Sequence, residues 1–114
     1  MILEEEVLSN FQVLRCYSRD KRINYIDFSH DGLRLIASGE DDSMVIYDCE
    51  KAMQKQVIRS AKYGADLVHF THASNTIIYA SNKEGRDHAL RYMSIHDNKF
   101  LKYFRINICC WCAE

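Results

Sequence analysis

The chain has 114 residues and a formal charge of −1, with 15 Lys and Arg scattered among 16 Asp and Glu, so it carries no basic footprint for direct nucleic-acid binding. Its length suits one small domain with a modest core, and no apolar run approaches the ~18 residues of a membrane-spanning helix. The opening Met1-Ile2-Leu3-Glu4-Glu5-Glu6 is acidic where a signal peptide or mitochondrial presequence is basic, so a cytosolic or nuclear compartment is the expectation.

From the amino terminus, residues 11–17 are rich in aromatic and β-branched types and read as a strand, ended by the polar run Ser18-Arg19-Asp20-Lys21-Arg22. Residues 23–29 carry apolar side chains at Ile23, Ile26 and Phe28. His30-Asp31-Gly32 then supplies the turn of a tight hairpin into residues 34–38, with Gly32 free to take a positive φ. Residues 39–42 turn the chain again, 43–48 form a third strand and 55–59 a fourth. The same order recurs as 67–71, 76–81, 89–94 and 99–104. Proline is absent and glycine scarce, so Asp, Asn, Ser and His make the turns. Residues 49–60 include good helix formers from Glu50 to Lys55, but the repeat register assigns 55–59 to an outer strand.

That recurrence carries the fold. Phe28 answers Phe70 and His30 answers His72 at a spacing of about 42 residues, while Tyr47 answers Met93 and Ile58 answers Phe104 at about 46, the period of four-stranded propeller blades. An all-β chain of two WD-type blades, 23–59 and 67–104, is therefore expected as part of an incomplete β-propeller, since known propellers close with roughly four to eight blades.

Five cysteines do not form a metal or disulfide pattern. Cys16 and Cys49 stand alone, and Cys109, Cys110 and Cys112 crowd together without paired CxxC or HxxxH spacing, which points to free thiols in a reducing compartment and to no metal. His69 and His72 are three apart, on opposite faces if they share a strand. Catalysis needs a nucleophile with a base, or paired carboxylates in a pocket. Cys49 with His69, or Asp41 with Asp42, are better explained by turn chemistry, so no enzyme activity and no cofactor are expected.

Asp41 precedes Tyr47 by six positions and Asp87 precedes Met93 by the same count, which resembles the WD-repeat spacing of a turn Asp and a third-strand aromatic. In that family the Asp anchors a hydrogen-bonded set with a second-strand Ser or Thr, the aromatic, and a His in the loop entering the blade. The resemblance implies blade anchors at Asp41, Ser38 and Tyr47, with Asp87 as the counterpart in the second unit. Met93 and Ala80 depart from the pattern there, and no His precedes Ile23.

Longer strings are more specific, among them Asp41-Asp42-Ser43-Met44-Val45-Ile46-Tyr47-Asp48-Cys49, Lys62-Tyr63-Gly64-Ala65-Asp66-Leu67 and His96-Asp97-Asn98-Lys99. Over residues 8–104 they resemble the amino-terminal portion of the family of small WD-repeat subunits shared by the Set1/COMPASS histone H3 lysine methyltransferase complex and a nuclear protein phosphatase 1 complex. The resemblance implies a nuclear, non-catalytic scaffold or adaptor in histone methylation and in transcription regulation or termination. Its implied partners are the Set1-type complex, the phosphatase scaffold and the phosphorylated tail of RNA polymerase II. Tyr63, His72, Tyr92 and His96 are the candidate partner contacts. After Phe104 the likeness stops, and residues 105–114 read as an unrelated apolar, Cys-rich tail. The alternative expectation is a non-functional or dominant-interfering fragment, with an open flank prone to association.

Overall fold

The computed structural model describes residues 4–83 and 89–104. A short helix, α1 (Glu5–Ser9), is followed by eight strands: β1 (Ile23–Phe28), β2 (Arg34–Gly39), β3 (Ser43–Asp48), β4 (Met53–Arg59), β5 (Val68–Phe70), β6 (Thr76–Ala80), β7 (Leu90–Ser94) and β8 (Lys99–Phe104). They form two separate four-stranded antiparallel meanders, β1-β2-β3-β4 and β5-β6-β7-β8, so the chain is all-β and the propeller is open.

The helix-forming residues around Ala52 do not make a helix. Met53–Arg59 pairs with β3 along its whole length, and that pairing overrides local propensity. Repetition extends to irregularities. Register shifts fall between Ile46 and Tyr47 in blade one and between Tyr92 and Met93 in blade two, the same place in the repeat. The following turns also match, with Ala52 at φ 51° and Asn98 at φ 55° in the left-handed region. In the first hairpin Gly32 takes φ 73°, while the Asp31 carboxylate accepts from the Ser29 hydroxyl at 2.6 Å and the Leu33 N–H at 3.0 Å.

Stacking one sheet on the other makes a shared core. Ile36, Met44, Ile46 and Ile58 of blade one meet Ala65, Val68, Ile77, Tyr79, Met93 and Ile95, with Tyr25 and Phe70 packed against the cluster. Burying a side chain of this size contributes about 1.5–3 kcal/mol, so neither face is stable in water alone. Polar ties fix the stacking: Gln56 Nε2 donates to the Ile95 carbonyl at 2.9 Å, Arg34 Nη1 to the Ser74 carbonyl at 3.0 Å, and the Phe70 N–H to Asp27 Oδ2 at 2.9 Å.

Residues 11–17, expected as a strand, have no strand partner among the described residues. The arm joins none of the edge strands and instead lies along blade one by contacts of its side chains. Tyr17 stacks on Tyr47 at 4.9 Å between ring centroids and donates from its hydroxyl to the Ala52 carbonyl at 2.8 Å.

Candidate functional site

Two sets of residues bear on function: those that lock a blade and those presented on its rims. Asp41 lies in the β2–β3 turn and accepts from the Ser43 hydroxyl at 2.8 Å and the Ser43 N–H at 3.3 Å, a local Asx turn. Arg19 reaches in from the arm. Its Nη2 donates to both Asp41 carboxylate oxygens, at 2.7 and 2.9 Å, and to the Ser43 hydroxyl, while Nη1 lies 3.5 Å from the Ala37 carbonyl oxygen. The Arg19 side chain is only 10% exposed, so this ion pair is better sheltered than an ordinary surface pair. Partial burial pushes the Asp41 carboxyl up, but the hydrogen bonds from Ser43 and Arg19 and the guanidinium charge outweigh it and hold the group below its ordinary value.

This arrangement corrects the expected anchor set. The Ser38 hydroxyl donates across the β1–β2 pair to the Tyr25 carbonyl at 3.4 Å, and the Tyr47 ring faces Tyr17, so neither bonds to Asp41. Ser43, two residues after the Asp, and Arg19, twenty-two before it, supply the partners instead. The first was signalled by the Asp-x-Ser string; the second had no local signal, because an arginine serves where the pattern directs attention to histidine. Asp87 lies outside the described residues. In blade two the position answering Ser43 is Ala89, which has no hydroxyl to offer.

Of the four candidate contacts, Tyr63 is partly committed to structure. Its ring covers the guanidinium of the buried Arg91, whose Cζ is 3.6 Å from the ring centroid, and Arg91 Nη1 also donates to the Ala89 carbonyl at 3.0 Å. His72 is exposed on the β5–β6 turn, with its ring edge-on to its repeat counterpart His30 at 5.8 Å. His69, by contrast, packs edge-on to Tyr25 and holds Nδ1 3.5 Å from Asp27 Oδ2. Tyr92 is half-buried and shares a face with Ile78 and Lys102, its cross-strand partners. His96 is exposed at the β7–β8 turn and lines a cleft between the blades. No cluster of three or more His, Cys, Asp or Glu is gathered among the described residues, and no described helix is long and apolar enough to cross a membrane.

The two outer faces differ in cover. Blade one's face toward a preceding blade, with Ile26, Phe28, Leu35 and Tyr47, borders a cavity of about 480 Å³ roofed by Val13, Leu14 and Tyr17 of the arm. Blade two's far face repeats blade one's core face. Phe104 answers Ile58, yet Ile58 is 5% exposed and Phe104 40%.

No family model matches the chain. It is 48% identical over 103 residues to WD repeat-containing protein 82 of Drosophila melanogaster, covering 90% of this chain and 32% of that protein. It is 39% identical over 82 residues to the Set1 complex component swd2 of Schizosaccharomyces pombe, and 32% identical over 82 residues to the COMPASS component SWD2 of Saccharomyces cerevisiae. Each match covers 72% of this chain, and 22% and 24% of those proteins. The chain thus spans a third or less of the length of these relatives. Among solved structures, Hsv2 of Kluyveromyces lactis superposes with a TM-score of 0.62 at 17% identity over 77% of this chain and 26% of that one, and Kluyveromyces marxianus Hsv2 with 0.61 at 14% over 77% and 27%. At that identity the likeness concerns the fold alone.

Two repeat-related meanders stacked on one core, with matching bulges and turns, are blades of a WD-repeat protein. Within that class the chain is of the Swd2 type, by its similarity to Swd2 and WD repeat-containing protein 82.

Proposed function

We propose that the chain supplies blades of a non-catalytic scaffold or adaptor in a Set1/COMPASS-type histone H3 lysine methyltransferase complex, acting in the nucleus in transcription regulation or termination. The observation that carries this reading is its 39% and 32% identity to two relatives named as Set1 or COMPASS components, supported by 48% identity over 103 residues to WD repeat-containing protein 82. A nuclear protein phosphatase 1 scaffold and the phosphorylated tail of RNA polymerase II are further partners in this proposal. Residues 8–104 are the partial propeller, with blades 23–59 and 67–104, and 105–114 an unrelated tail. Within it His72 and His96, exposed on turns, are the favoured partner contacts, and Tyr92 faces the side where another blade would stack. Recovery of a Set1-type methyltransferase with the tagged chain from nuclear extract is the expected result; its consistent absence would leave only the fold assignment.

A second reading is favoured by the half-exposed far face of blade two. A two-blade fragment would then compete for, or fall short of, the contacts of a closed propeller. Expression beside a full-length relative separates the two: gain of histone methylation favours the adaptor and loss favours interference.

A further inference from the structure

The positions that join the two blades recur, apolar again, at the two ends of the stack. Blade one turns Ile36, Met44, Ile46 and Ile58 toward blade two, and the same positions of blade two's far face hold Ile78, Leu90, Tyr92 and Phe104. Strand pairing supports the equivalence: Met44 lies opposite Ile58 and Ile46 opposite Gln56, as Leu90 lies opposite Phe104 and Tyr92 opposite Lys102. In the other direction, blade two receives blade one on Ala65, Val68, Ile77, Met93 and Ile95. The same positions on blade one's outer face hold Ile23, Ile26, Leu35, Tyr47 and Cys49. The chain thus carries both halves of its own interblade contact a second time, one half at each end.

A polar tie has its counterpart as well. Gln56 Nε2 donates to the Ile95 carbonyl between the blades; Lys102 answers Gln56 on the far face, and Cys49, next to Asp48, answers Ile95 on the outer face. An ammonium brought there meets a carbonyl and a carboxylate, so charge favours the same alignment. The outer face is loosely covered. Val13 and Leu14 of the arm are themselves exposed, and the cavity of about 480 Å³ remains between the arm and the face that includes Ile26 and Phe28. Tyr17, stacked on Tyr47 and bonded to the Ala52 carbonyl, holds the arm in place.

We infer that blade two's far face docks on blade one's outer face of a second copy of this chain, displacing the arm, in the geometry by which blade one already stacks on blade two. Such a contact is heterologous, so each added copy leaves the same two faces open until a ring closes. Propellers close with roughly four to eight blades, which sets the ring at about two to four copies. The inference rests on the repeat geometry and not on the adaptor reading.

The test is sedimentation of the intact chain over a wide range of concentration, with its thiols kept reduced. A limiting mass about two to four times that of one chain is expected, falling to the monomer on dilution. Ile26→Glu blocks the receiving face and Phe104→Glu the far face, and both side chains are exposed, so neither substitution empties the core. Each variant alone should be monomeric, whereas their mixture should form a one-to-one complex and nothing larger, because one intact face of each kind remains. Recovery of that complex also shows that both variants are folded. Tyr17→Ala should strengthen association several-fold by releasing the arm. A parent chain that is monomeric at every concentration overturns the inference, the outcome if residues 105–114 or a partner's blade cover the far face. Association that survives either charged substitution alone overturns the head-to-tail pairing, as does a mixture that stays monomeric although both variants unfold cooperatively like the parent. Growth without a limiting mass overturns closure, and no gain from Tyr17→Ala overturns the arm as competitor.

Discussion

Blade one and blade two share a strand plan, a bulge position and a turn conformation, but they are locked and covered differently. Blade one has a polar clasp, Arg19 with Asp41 and Ser43, and an arm across one face. Blade two has Ala89 where blade one has Ser43, and a buried Arg91 under Tyr63 on the strand that answers Val45. Its far face has the same apolar pattern as blade one's core face with no equivalent cover among the described residues. The difference teaches that the repeat pattern sets which face is apolar, whereas the neighbouring blade decides whether that face is buried.

The largest expected effect compares repeat-equivalent residues. Ile36 is fully buried between the blades and Ile78 is half-buried on the far face, although both are isoleucines on second strands. Ile36→Ala should cost about 2–5 kcal/mol in denaturant unfolding, and Ile78→Ala clearly less. Equal losses would mean that the far face is covered as fully as the core.

Next comes the clasp. Asp41→Ala should destabilise by about 1–3 kcal/mol, toward the lower end because the Asp41 side chain is 36% exposed. A double-mutant cycle with Arg19→Ala should show coupling of about 0.5–1 kcal/mol. Independent effects would assign the loss to the Ser43 turn alone.

Acid sharpens the same point. Asp41 titrates below its ordinary value of 3.8 in the folded chain, so its contribution is fully present above that value and is lost as pH falls through the lowered one. The fall in stability below about pH 4 should be shallower in Asp41→Asn than in the parent. An unchanged acid limb would show that other carboxylates, such as Asp31 held low by Ser29 and Leu33, carry the effect.

The smallest effect lies in the matched turns. Ala52 and Asn98 both take positive φ, which costs an alanine more than an asparagine. Ala52→Gly should raise stability by up to about 1 kcal/mol, whereas Asn98→Gly should give no gain, because the few tenths of backbone relief are offset by loss of the bond that Asn98 Oδ1 accepts from Gln56 Nε2. A loss at Ala52→Gly would indicate that Tyr17, bonded to that carbonyl, depends on the alanine for its seat.

Much of this was legible because period-two alternation and turn residues are local signals. The hairpin at His30-Asp31-Gly32, the strand at Ser43–Asp48 and the equivalence of Tyr47 with Met93 all follow from spacing. Less legible were contacts that depend on chain partners far away. Residues 11–17 have strand composition but pair with no strand among the described residues, and Arg19 meets Asp41 only because the arm folds back. Tyr63 stands among the candidate partner contacts by sequence, and its stacking on Arg91 depends on the loop between blades meeting β7. The clasp's Asp was found from its spacing, while its partners were not, because a family pattern names residue types and the geometry here uses others.

Native-state hydrogen exchange on the intact chain tests most directly whether two blades form one cooperative unit around their shared core. Amides of Arg34–Gly39 and Ser43–Asp48 should open with the same free energy as those of Thr76–Ala80 and Leu90–Ser94, with the exposed Lys99–Phe104 strand exchanging faster. Two distinct opening energies, one for each sheet, would contradict a shared core and reduce the chain to two blades that merely touch.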